Sequence, residues 1–160
     1  MRRYLKSAHG FTIIELVTTI GIIAILAAVA TLSLLGRKGT TELSITAQQI
    51  ATLLREAQSR AVSQASSTSW GVYFDNVAAT SSFYAIFRGS SYSSSTEIGH
   101  HRLPPSVRYV PLSLPLGSTS SVFFASFTGA PNVPLSISVE LFSGTASATI
   151  SVNALGAVSF

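Results

Sequence analysis

The sequence predicts an α+β fold, a long N-terminal helix followed by a small antiparallel β-sheet domain. Three observations carry that prediction. Residues 16–35 form an uncharged, strongly apolar run. Leu43, Ala47, Ile50, Leu54, Ala57, Ala61 and Ala65 then recur at intervals of three and four, the spacing of one helix face. From Ser66 onward the period drops to two, and the intervening turns are rich in Ser, Gly, Pro and Asn.

The first element is a ten-residue head, Met1 to Gly10, carrying Arg2, Arg3 and Lys6. Residues 11–35 follow as a helix. At about 1.5 Å per residue its uncharged part spans roughly 30 Å, the hydrocarbon thickness of a bilayer. Glu15 lies just inside this segment, where a carboxylate costs about 2–3 kcal/mol to insert and is rare without a partner. Three cationic side chains and the initiator amine precede the helix, while Arg37 and Lys38 follow it. That narrow excess favours the cytoplasmic side for the N-terminus, with the remainder across the membrane. An ordinary secretory signal would have a shorter apolar core and a small-x-small site after it. Ala24, Ala27, Ala28 and Ala30 could mimic such a site, but that reading leaves Glu15 unexplained.

Gly36-Arg37-Lys38-Gly39 is expected to interrupt the helix at a membrane–water boundary. It resumes as an amphipathic continuation within residues 36–65, with Glu56 and Arg60 as a favourable i,i+4 pair. Residues 66–160 form the β domain. Trp70, Val72 and Phe74 alternate with Gly71, Tyr73 and Asp75. Further strands are expected at Phe83–Phe87, Val107–Leu112, Val122–Phe127, Leu135–Leu141, Ala148–Val152 and Ala157–Phe160. A hairpin is expected around Phe142–Thr145, and Ser90–Ser95, low in complexity, reads as a mobile loop. Trp70 is assigned to the core. Tyr73, Tyr84 and Tyr92 are read as exposed aromatics that fill the sheet.

Bulk composition narrows the function classes. Past residue 35, 160 − 35 leaves 125 residues, enough for one small domain. The net charge of +4 includes Arg2, Arg3 and Lys6; without them seven basic residues face six acidic ones. The high isoelectric point therefore belongs chiefly to the head and is poor support for nucleic-acid binding. With no cysteine, a disulfide framework, a thiolate metal site and a Cys nucleophile are excluded.

The run Gly10-Phe11-Thr12-Ile13-Ile14-Glu15, behind a basic head and ahead of a long apolar helix, resembles the type IV prepilin and pseudopilin signature. The resemblance implies a pilin-like fold, cleavage between Gly10 and Phe11 by a prepilin peptidase, and N-methylation of Phe11. It also implies assembly with other pilin subunits through an inner-membrane platform driven by a cytoplasmic ATPase, and no cofactor. Cleavage would expose the Phe11 amine, a cation that a neighbouring subunit's Glu15 can pair with. The helix Leu43–Ala65 followed by short strands is similar to the general secretion pathway protein H-like minor pseudopilins, subunits of a type II secretion pseudopilus. So is the closing run Ile150 to Val158, except that Ala157 stands where that group commonly has Arg. Major pilins usually carry Pro about twenty residues after the cleavage site, whereas this chain has Thr31-Leu32 there.

Other chemistry finds little support. His100-His101-Arg102 reads as a solvated loop, and adjacent strand residues could not share a metal. No H-E-x-x-H or G-x-S-x-G spacing occurs, and Asp75 beside Asn76 supplies one carboxylate where a calcium cage needs several. No enzymatic activity and no metal site are expected. Two alternatives stay open. One is a minor pilin of a type IV pilus or a DNA-uptake filament, contacting DNA through Arg88, Arg102 and Arg108 with His100 and His101. The other is a plain single-pass anchor displaying a β domain, set apart by whether the head is removed.

Overall fold

The computed structural model describes residues 11–64, 67–77 and 81–160, with the side chains of 32–37 left out of the description. The chain divides into two compact units, one ending at Arg37 and one running from Lys38 to Phe160. A single helix, α1 (Ile13–Val62), contributes to both. Gly36 to Gly39 does not interrupt it. Glycine in a helix interior costs only about 1 kcal/mol relative to alanine, and no proline is present to remove a backbone donor. The helix closes at Val62, where Ser63 N–H donates to Ser59 O at 2.9 Å and Gln64 enters the left-handed region at φ 55°. Ala65, expected as the last helical position, lies outside the described residues.

In the second unit the helix buries the face its spacing predicts. Leu43, Ala47, Ile50, Leu54, Ala57 and Ala61 are all buried. Thr46 joins them because its hydroxyl donates to Glu42 O at 2.8 Å, so the buried polar atom is satisfied.

Eight antiparallel strands follow: β1 (Trp70–Asp75), β2 (Phe83–Arg88), β3 (Glu97–Arg102), β4 (Val107–Tyr109), β5 (Thr119–Phe124), β6 (Leu135–Leu141), β7 (Ser147–Val152) and β8 (Val158–Ser159). They form two four-stranded sheets, in the orders β3-β2-β1-β5 and β4-β6-β7-β8, where a single sheet was expected. The inward residues of both sheets, among them Trp70, Phe74, Phe124, Ile137, Val139 and Ile150, join the helix face in one apolar cluster. One polar tie joins the sheets, Tyr109 Oη donating to Phe83 O at 3.0 Å, while at the end of β1 the buried Asn76 donates to Leu114 O at 2.7 Å and accepts from Ser82.

Several expected elements are corrected. His100 and His101 lie in strand β3, which the sequence reading took for a loop because its residues are polar and lack apolar alternation. β4 stops at Tyr109: Val110 N–H still reaches Ser138 O at 2.8 Å, but Leu114 N–H then returns to Val110 O at 3.0 Å, closing a turn that leaves Leu112 98% exposed. β5 is shifted toward the N-terminus. After Phe124 the chain turns through Phe127 at φ 71°, so residues 125–127 leave the ladder. Tyr84 is buried, only 2% exposed. The Ser90–Ser95 segment is pinned by Tyr92, whose ring stacks on Tyr73 at 3.8 Å and whose hydroxyl donates to Glu97 Oε2 at 2.6 Å. Gly71 is dictated by packing, since a Cβ there would lie 2.6 Å from the Phe87 ring and 2.5 Å from Val122 O.

Two predictions follow from this core. Leu54, fully buried, should cost about 2–5 kcal/mol when truncated to Ala, and Leu54→Asp should abolish the β signal in circular dichroism of the detergent-solubilised chain. The second concerns alkali. Burial pushes the Tyr84 hydroxyl up to about 12 and holds that of Tyr109 well above its ordinary 10. Both phenols fold neutral, so above pH 10 the native state binds more protons than the unfolded one. Stability should hold below pH 10 and fall as pH climbs toward 12. Urea midpoints across that window should fall less steeply in Tyr84→Phe, by about one proton's worth of slope.

Candidate functional site

The first unit is built around the start of α1. Thr12 immediately precedes the first helical residue and acts as its N-cap, its Oγ1 accepting a hydrogen bond from Glu15 N–H at 3.3 Å. Thr12-Ile13-Ile14-Glu15 thus has the Thr-x-x-Glu spacing of a capping box. Leu16 N–H donates to Thr12 O at 3.1 Å, closing the first turn. The Glu15 carboxylate is exposed and has no hydrogen-bond or ion-pair partner among the described residues. Its position in the first turn faces the helix's positive end, which favours an anion there.

Ile13–Thr31 is 19 residues with a mean hydropathy of 2.5, long and apolar enough to cross a membrane. None of it is buried by the rest of the chain, and its large apolar side chains from Ile13 to Val29 are 56–83% exposed. Apolar surface of that extent needs lipid or other helices to cover it. The threonines inside it are compatible with an apolar surrounding because their hydroxyls donate to carbonyls one turn back. Thr18 bonds Ile14 O at 3.0 Å, Thr19 bonds Glu15 O at 2.9 Å, and Thr31 bonds Ala28 O at 2.8 Å.

Residues 5–31 match the prokaryotic N-terminal methylation motif. The motif supports a pilin-like protein and implies processing by a prepilin peptidase and assembly with other pilin subunits. With the exposed apolar helix it supports single-pass membrane anchoring. No curated protein and no solved structure matches the chain. Of the two residues at the expected cleavage point, Phe11 is 82% exposed and Gly10 lies outside the described residues.

The candidate DNA contacts are not brought together. Arg108 is taken up by Glu140, with Nε donating to Oε1 at 2.8 Å, and lies over the Phe142 ring at 5.2 Å. Arg88 and Arg102 stand at opposite ends of the β2–β3 pair, since Arg102 pairs with Phe83 and Arg88 is five residues further along β2. At about 3.4 Å per residue that is roughly 17 Å. His100 stacks on Phe83 at 4.3 Å and approaches Glu97 Oε1 at 3.2 Å, while His101 stacks on Tyr84 on the opposite face. Asp75 Oδ1 accepts from Val77 N–H at 2.9 Å, a turn contact, and Asn76 is spent on the link to Leu114. Among the described residues no three His, Asp or Glu side chains converge on a point.

The sequence reading missed Thr12 as a cap, although the Thr-x-x-Glu spacing was there to be read. It also missed the chain of rings His100, Phe83, Tyr73, Tyr92 and Phe87 across one face of the first sheet. Alternate placement of Tyr73 in β1 and of Phe83 and Phe87 in β2 was the available signal.

Arginines that are paired or far apart neutralise few phosphates at once. A gel shift with duplex DNA at about 0.15 M salt should show no retarded complex up to micromolar protein. A complex lost on replacing Arg88 and Arg102 would revive the DNA reading.

Proposed function

We propose that the chain is a minor pseudopilin, a structural subunit of a type II secretion-type pseudopilus. In this reading a prepilin peptidase removes residues 1–10 on the cytoplasmic side of the inner membrane and methylates the new Phe11 amine. The subunit is stored in the inner membrane with residues 38–160 on the outer, periplasmic side. It then enters the filament through α1, delivered by an inner-membrane assembly platform. The observation that carries the reading is the methylation motif over residues 5–31, lying on a helix start whose apolar surface its own chain leaves uncovered.

Glu15 has a defined task in that assembly. Its carboxylate has no partner within the described chain, and the Phe11 amine freed by cleavage on a neighbouring subunit would supply one. The minor-pseudopilin assignment draws support from the closing hairpin. β7 and β8 pair through Ser151–Ser159 and Val152–Val158, and Asn153 Oδ1 accepts from both Leu155 and Ala157 N–H at 2.9 Å. Gly156 there is buried at φ +85°, and a Cβ would lie 2.3 Å from Gln58 Nε2 on the helix.

Intact-mass analysis of membrane-extracted protein tests the processing step. The mature chain should begin at methylated Phe11, with Gly10→Ala tolerated and a bulky or charged residue at position 10 blocking cleavage. A mature N-terminus near residue 30 would mean ordinary signal-peptide cleavage and would overturn the reading. Glu15→Val should insert into membranes at least as well as the natural chain while losing most of its helix-to-pilin cross-links. Undiminished cross-links would remove the pairing role.

A further inference from the structure

Strand β3 ends the first sheet, so one of its edges carries no protein strand. Gly99 to Arg102 pair regularly with Phe83 to Ile86, and the register irregularity of this ladder falls beyond them, between Ile86 and Phe87. Edges left open in a monomer are commonly blunted by charged side chains, lysine above all, by proline or by bulges. In this strand, Glu97-Ile98-Gly99-His100-His101-Arg102, the two charged residues stand at the ends and the irregularity lies beside Glu97, so the stretch between them carries none of these. Beside it, a groove of about 410 Å³ lies between β3 and the second-unit part of α1. Ile45, Leu53 and Tyr84 supply its apolar surface, and Gln48, Gln49, Thr52, His101 and the Arg60-paired Glu56 its polar surface. Ile45 is 48% exposed, and the Gln48 carboxamide has no partner among the described residues.

Alternation settles which side chains face the groove. His101 pairs with Tyr84, whose hydroxyl reaches Gln49 on the helix at 3.1 Å, so His101 lies on the helix-facing side. Arg102 and His100 are on the other side. Arg102 is exposed, and its guanidinium has no ion-pair partner among the described residues. Arg60 and Arg108, by contrast, are held by Glu56 and Glu140.

We propose that the open edge of β3 and the groove beside it form a strand-addition site for an extended segment of a partner protein. The segment runs antiparallel to β3, sets a carboxylate opposite Arg102, and drops the next, large side chain into the groove beside His101. Backbone hydrogen bonds along the edge would supply affinity, and the groove and the arginine selectivity. The proposal concerns the second unit alone, Lys38 to Phe160, and does not depend on the fate of residues 1–10.

The test uses the full-length chain in detergent micelles and two end-capped, fluorescently labelled peptides, Glu-Tyr-Thr-Val-Thr and Lys-Tyr-Thr-Val-Thr. Fluorescence polarisation should show the glutamate peptide binding about fivefold tighter than the lysine one, the scale of one cross-strand charge pair. Arg102→Glu should reverse that order. Thr52→Trp, an exposed helix position whose new ring would fill the groove, should weaken both peptides at least tenfold with the circular dichroism unchanged. Saturating glutamate peptide should also slow amide exchange in residues 97–102. Absence of binding at millimolar peptide, or affinities indifferent to both substitutions, overturns the proposal. So does a peptide-free dimer that dissociates on Arg102→Glu, because the edge would then serve a second copy of the chain.

Discussion

The structure depends on the backbone of α1 satisfying itself. Each amide inside the helix bonds a carbonyl one turn back, so the element asks nothing of its surroundings for its polar backbone. That independence lets one helix run through a stretch with no protein neighbours and another stretch buried beneath two sheets. Only the side chains change. Up to Thr31 they are apolar around the whole circumference; from Leu43 they are apolar on one face. Even the threonines of the first stretch turn their hydroxyls back to the helix's own carbonyls.

Glu15 is the exception to this self-sufficiency. A capping box at this position would accept Gln as readily as Glu, so the local structure needs only the amide N–H that Thr12 receives. The helix's positive end eases the cost of the charge by a fraction of a kcal/mol up to about 1 kcal/mol. What remains is a net negative charge at the edge of an apolar surface, which is useful chiefly where a cation is to be met. In the proposed assembly, the same residue makes an unassembled subunit slightly uncomfortable and an assembled one in register.

Much of this was legible from residue spacing. The buried face Leu43 to Ala61 emerged because period and burial coincide on a helix that covers a core. β1, β2, β6 and β7 were readable because their inward positions are apolar. β3 was opaque for the opposite reason. An edge strand with both faces partly wet has no apolar alternation to display, and its pairing partner alone defines it. The presence of two sheets was equally hidden, since it follows from which strands neighbour one another and local period carries no such information. At the site, the pattern Gly-Phe-Thr-x-x-Glu was visible at once. The dispersal of Arg88, Arg102 and Arg108 was not, because sequence proximity says nothing about which arginine already has a carboxylate beside it.

Trp70 is the chain's single tryptophan. It opens β1 at 4% exposure, with the Arg60 guanidinium of the last helical turn 4.8 Å above its ring. The one strong indole chromophore is thus set at the seam where helix meets sheet, under a cation that perturbs its excited state. Its emission therefore reports on that seam directly. Separation of the helix end from β1 would change both the polarity around the ring and the proximity of the charge, even with both sheets still paired. The molecule carries its own optical gauge of whether the helix is docked.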